Sequence, residues 1–145
     1  MRKPSAQKKE LTPPVVISRA DHDRLTRLVL AFAEIAPEVS DYLSRELDRA
    51  KTVAATGPEV VRMGSWVRYR DEATAREQEV QLVFPPEADI SARKISIMTP
   101  IGAALIGLTA GKSITFYTPD GKARNLSIVE VSDEPKTENS TDKAE

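Results

Sequence analysis

Cysteine is absent from this 145-residue chain, which excludes disulfides, thiolate zinc sites and cysteine nucleophiles together. Histidine occurs once, as His22. A lone imidazole beside Asp21 and Asp23, which fall on different helical faces, is a poor beginning for a metal site, and no serine has a histidine partner in a workable triad. Aromatic residues make up only 5% of the chain, which disfavours an aromatic-lined pocket. No apolar run approaches the roughly 20 residues of a membrane span, and the polar N-terminal stretch has no signal-peptide core. The expectation is a cytoplasmic protein with no membrane contact and no cofactor. A net charge of −1 argues against coating a polyanion.

What is present divides the chain by composition. Residues 1–14 carry Arg2, Lys3, Lys8 and Lys9 among prolines and polar residues and read as a flexible basic arm; residues 133–145 read as a disordered acidic tail. Between them, Ser18 followed by Asp21 is a capping-box-like helix start, and Leu25, Leu28, Val29 and Phe32 recur at helical spacing. A second helix begins near Pro37, with Val39, Leu43, Leu47 and Ala50 on one stripe. The turn around Ala33 to Ala36 is short, so the two stripes must bury each other in an antiparallel hairpin over residues 15–53. Its charges are sorted. Glu34, Glu38 and Asp41 gather near the turn, whereas Arg19, Arg24, Arg27, Arg45, Arg49 and Lys51 lie toward the base. Acids suit a helix start and bases a helix end, which explains the second helix but not the arginines of the first.

After a linker at 54–59, short alternating runs replace the helical period. Val60 to Arg70 and Val80 to Phe84 read as half-buried strands, and Ile114 to Thr118 and Leu126 to Val131 flank the turn-forming Pro119-Asp120-Gly121-Lys122. Alternation places Trp66, Arg68 and Arg70 on one strand face, a basic face suited to docking, and Val67 and Tyr69 on the other. The run Lys94 to Gly107 joins a β-like segment to a short helix: Thr99 is the cap, Pro100 the first helical residue, Gly102, Ala103 and Ala104 permit close approach, and Gly107 terminates it. Gly111-Lys112-Ser113 follows, without the upstream glycine spacing of a phosphate-binding loop. The whole is an α+β domain of residues 60–132, strands around one central helix, behind a helical hairpin.

Pro100 to Ile114, PIGAALIGLTAGKSI, resembles the signature of the C-terminal domain of the Gre transcript-cleavage factors, whose fold is FKBP-like. Three further segments, Glu46–Ala50, Val60–Asp71 and Leu82–Pro85, make the chain similar to the Gre relatives known as regulator of nucleoside diphosphate kinase, Rnk. The resemblance implies a non-enzymatic transcription regulator that binds RNA polymerase near its secondary channel, meets nucleic acid only through the polymerase, and competes with other channel-entering factors. Gre factors carry adjacent acids at the tip of a long coiled coil, where they help to hold the metal ion that cleaves backtracked RNA. Here Glu34 and Glu38 straddle Ile35-Ala36-Pro37 and the finger is shorter, so cleavage is not expected. Polymerase contact is expected from Glu34, Glu38 and Asp41 at the tip, from Met98, Thr99, Pro100 and Ile101, and from Arg68 and Arg70. Two other readings stand beside this one: a prolyl isomerase, since the FKBP-like fold hosts that activity, and a nucleic-acid-binding β-domain using the Trp66/Arg68/Arg70 face.

Overall fold

The computed structural model describes residues 13–118 and 120–135. Most of the basic arm, Pro119 of the hairpin turn and most of the acidic tail lie outside the described residues. Helix α1 (Arg19–Phe32) begins where the sequence places it: the Ser18 side chain accepts the Asp21 amide. Helix α2 (Pro37–Arg49) has no side-chain cap; Pro37 occupies its first turn, where a missing N–H costs nothing. Leu25, Leu43 and Leu47 are buried between the helices and what lies beneath them.

Two elements at the base of the hairpin were not legible in the sequence. Strands β1 (Val16–Ser18) and β2 (Lys51–Val53) pair in parallel. A helical hairpin that returns to its starting point lays its two flanking segments side by side, and three residues each suffice to tie them. Parallel pairing of such short strands leaves no periodicity to detect.

The second sheet has five strands in the order β5-β4-β3-β7-β6. These are β3 (Trp66–Asp71), β4 (Arg76–Val83), β5 (Lys94–Ser96), β6 (Ser113–Tyr117) and β7 (Ala123–Ser132). Only β4 and β5 run parallel. The expected strand from Val60 begins six residues later, at Trp66. Gly64, at φ +92°, turns the chain, and Ser65 closes the turn by hydrogen bonding to Arg62. Val61 instead exchanges backbone bonds with Leu108 and Gly107. A register shift between Arg68 and Tyr69 leaves Val129 as an extra residue on β7, a bulge that curls the sheet while Tyr69 and Ile128 both stay buried.

Helix α3 (Pro100–Leu105) is the central helix, and Gly102 through Leu105 are buried. Leu105, Ile106 and Leu108 join Val67, Leu82, Ile114, Phe116, Leu126 and Ile128 in a core that also includes Leu25, Leu43, Val15 and Ile17. Hairpin and sheet therefore share one hydrophobic interior. Two glycines set how closely its parts approach. A Cβ on Gly102 would lie 2.2 Å from the Ser96 carbonyl oxygen, and one on Gly107 would lie 2.4 Å from a Val15 methyl. Gly107, at φ +79°, also needs the left-handed region.

Gly102→Ala should accordingly lower stability by about 3 kcal/mol, the upper range for overpacking against backbone. Gly111→Ala, where φ is +93° but open space surrounds the position, should cost only about 1 kcal/mol. Urea unfolding of both variants checks the contrast.

Candidate functional site

Asp21 is a polar latch between the hairpin and the sheet domain, beside the shared apolar core and the Val16 amide's bond to the Gly107 carbonyl at 2.9 Å. Its carboxylate is buried, accepts the Met63 amide at 3.2 Å across forty-two residues of sequence, and pairs with Arg24. In a capping box that carboxylate would fold back to its own helix start; here it reaches out to the β-domain. Arg24 in turn lies over the Phe84 ring at 5.1 Å. His22 is half-buried rather than freely exposed, and its Nε2–H donates to the Leu47 carbonyl at 3.0 Å, tying the start of α1 to the end of α2.

A large concavity opens on the inner face of the curled sheet. Tyr69, Val80, Ile95 and Phe116 form its apolar wall, Thr99, Pro100 and Ile101 one flank, and the Pro85–Arg93 segment another, enclosing about 440 Å³. Two short 3-10 turns, Pro85–Glu87 and Ile90–Ala92, shape that segment. They hold Ile90 at the rim, 80% exposed. At the opposite rim Arg124 binds Asp71 at 2.6 Å and holds the Asp71 carboxyl below its ordinary range. The flank is locally rigid. Thr99 Oγ1 donates to the Ser96 carbonyl at 2.7 Å and accepts the Gly102 amide at 3.1 Å. Of the four loop residues expected to make contacts, Thr99, Pro100 and Ile101 line this groove. Met98 faces the core at 9% exposure and offers no surface, because the chain must turn inward to bring Gly102 against Ser96.

At the hairpin tip Glu34 and Glu38 are exposed and separated by the turn, while Asp41 is engaged along α2 by Arg45 at 2.5 Å. Leu30 and Ile35 are 74% and 75% exposed there. The sequence carried a signal for them, since neither belongs to the buried stripe. Ile90 gave no comparable signal.

The outer face of β3 is not the basic stripe that the strand alone suggests. Pairing register sets Arg68 opposite Glu79 and Glu130, and Arg70 bonds Glu77 at 2.7 Å. Arg93 bonds Glu79 at 3.4 Å and covers the Trp66 ring at 5.4 Å. Neighbouring strands, which a single-strand reading cannot include, balance the charge.

A latched helical hairpin, a curled sheet around one buried helix and a groove beside that helix define the class of the GreA/GreB-type factors. Residues 56–133 match the family described as "Transcription elongation factor, GreA/GreB, C-term", and residues 13–53 match "Rnk N-terminus". A solved "Prokaryotic transcription elongation factor GreA/GreB from Nitrosomonas europaea" superposes with a TM-score of 0.65 at 39% identity, covering 83% of this chain and 98% of that one. The "Transcription elongation factor GreA" of Azorhizobium caulinodans is 39% identical over 94 residues, 65% of this chain but only 58% of that protein. The "Regulator of nucleoside diphosphate kinase" of Escherichia coli K12 is 32% identical over 126 residues, 86% of this chain and 93% of that protein. The chain belongs to the Rnk family.

Replacing Asp21 by alanine should destabilise the protein by about 2 to 3 kcal/mol, because the Met63 amide loses a charged acceptor; Asp21→Asn, which keeps an acceptor, should recover part of this in the same denaturation assay. A second prediction concerns Tyr42 on α2. Burial pushes its phenol up to about 12, with Glu46 adding to the effect and Arg49 opposing it. A raised phenol stabilises the fold while it is neutral. That contribution is complete below the unfolded value of about 10 and is lost as pH rises toward 12. Absorbance titration should show late-ionising tyrosine, of which Tyr42→Phe removes one group and leaves Tyr69, whose phenol burial also pushes up.

Proposed function

We propose that this protein is a non-enzymatic transcription regulator that binds RNA polymerase near the secondary channel, without stimulating transcript cleavage. The observation that carries this reading is the groove beside α3. It is bounded by Thr99, Pro100 and Ile101, and its flank is fixed by the Thr99 cap. The concavity is mostly apolar, Lys94 and Arg124 stand among its polar residues, and Ile90 at its rim is exposed; an exposed apolar patch rimmed by polar groups suits a protein partner. The names of the relatives, transcription elongation factors and a kinase regulator, support a partner in the transcription machinery.

The hairpin supports the negative part of the proposal. At about 1.5 Å per residue its fourteen-residue helix α1 reaches roughly 20 Å. Its tip presents Glu34 and Glu38 on either side of the turn, with apolar Leu30 and Ile35 between and behind them. Metal-assisted hydrolysis needs oxygen ligands converging on one ion. A tip of this composition is suited to contact instead. Occupying the channel mouth would then exclude longer factors from the same place. Arg68 and Arg70, matched by glutamates within the sheet, are secondary contacts in this scheme.

Purified core RNA polymerase should retain the full chain, and added Gre factor should displace it. Ile101→Glu, which places a charge in the groove wall, should weaken retention at least about tenfold, a loss of some 1.4 kcal/mol. Stalled elongation complexes should show no increase in RNA cleavage. No retention at low salt would remove the polymerase reading, and cleavage above background would remove the claim that the tip is inert.

A further inference from the structure

Strand β6 is an edge of the five-stranded sheet. Its hydrogen bonds identify the side left open. The Lys112 carbonyl accepts from Ile128, and the Thr118 amide donates to the Lys122 carbonyl, so even-numbered residues direct their backbone groups at β7. Ser113, Thr115 and Tyr117 therefore turn theirs to the free edge. They bond no other backbone group among the described residues. The edge lacks two of the usual protections: from Ser113 to Tyr117 there is no charge and no proline.

A second cleft, of about 210 Å³, runs beside this edge. It lies between the C-terminal half of β6, helix α2 and the start of α3, with Val39, Tyr42 and Phe116 among its apolar lining and Glu38 and Thr118 among its polar lining. An edge strand facing a helix across an apolar trough is the arrangement that accepts an added strand, with backbone bonds on one side and alternate side chains entering the trough. The charges define what fits. Glu38 is exposed and has no ion-pair partner among the described residues. Lys112, equally exposed and unpaired, stands at the far end of β6.

We propose that the β6 edge and the cleft beside α2 bind an extended peptide segment of a partner protein, antiparallel to β6, with a basic residue at its N-terminal end, apolar residues in the middle and an acidic end. Antiparallel pairing sets the peptide's N-terminal end beside Thr118 and Glu38 and its C-terminal end beside Lys112. Apolar side chains at alternate positions then enter the trough against Tyr42 and Phe116. This inference does not rest on polymerase binding, since it is argued from the open edge and the cleft beside α2; Glu38 is nevertheless shared with the hairpin tip, and Pro100, Phe116 and Thr118 line both clefts.

The probe is a labelled peptide of alternating valine and threonine, with arginine at the N-terminal end and glutamate at the C-terminal end, titrated into the full chain. Saturable binding is expected, together with slowed hydrogen exchange at the Thr115 and Tyr117 amides. Thr115→Pro removes an outward N–H while sparing the backbone bonds to β7; it also removes the Thr115 Oγ1 bond to Asn125 on β7, a loss that Thr115→Val reproduces with the outward N–H kept. Thr115→Pro should therefore weaken binding at least about tenfold and Thr115→Val should not. Glu38→Lys, which reverses a charge lining the cleft, should also weaken it at least about tenfold. A peptide with its end charges exchanged should bind more weakly. Failure to saturate, or binding that leaves those two amides unprotected, would overturn the proposal, and neither readout depends on a variant folding. Dimerisation of the free chain through β6 would overturn it too, by assigning the edge to a second copy.

Discussion

The buried carboxylate of Asp21 connects the two halves of this molecule. Its own amide is capped by Ser18, its side chain accepts the Met63 amide, and it holds Arg24 over Phe84. A helix joined to a sheet by a flexible segment would have no fixed direction. Here the first turn of α1 is a ligand of the β-domain backbone, and β1 pairs with β2 directly below it. The direction of the finger is thus a property of the fold. Any function that requires tip and groove to engage one surface together depends on that.

Close backbone approach supplies the second constraint. Gly102 lets α3 sit against the Ser96 carbonyl, and Gly107 lets the chain pass under Val15. Both glycines flank Ala103, Ala104 and Leu105, which fill the interior. The Thr99 cap starts the helix at the groove margin, so the residues that begin the helix are also those that border the concavity. Packing and surface shape come from one short segment. That economy explains how a chain with few aromatics can present a defined groove: Tyr69 and Phe116 lie deep in its wall instead of at its rim.

The hairpin was legible in the residues because its signals are local. Ser18 as cap, Pro37 as first-turn residue and the Leu25, Leu43, Leu47 stripe each act within one or two helical turns. The helix from Pro100 was legible for the same reason. What could not be read depends on partners distant in sequence. The strand start at Trp66 is set by a turn at Gly64 and by Val61 pairing with Leu108; Met98 is buried because its neighbours close on Ser96. Arg68 and Arg70 meet glutamates of adjacent strands only through pairing register. Asp21 was read as half of a capping box, and its actual acceptor role toward Met63 has no sequence signature.

Because the chain has no cysteine, two spin labels can be placed without background. Introduced at exposed Ala33, beside the finger tip, and exposed Ala73, in the β3–β4 turn, they report the finger's direction by pulsed electron-electron resonance. A fixed finger gives one narrow distance distribution, which Asp21→Ala broadens. A broad distribution in the protein with Asp21 intact would show a swinging finger and contradict the account.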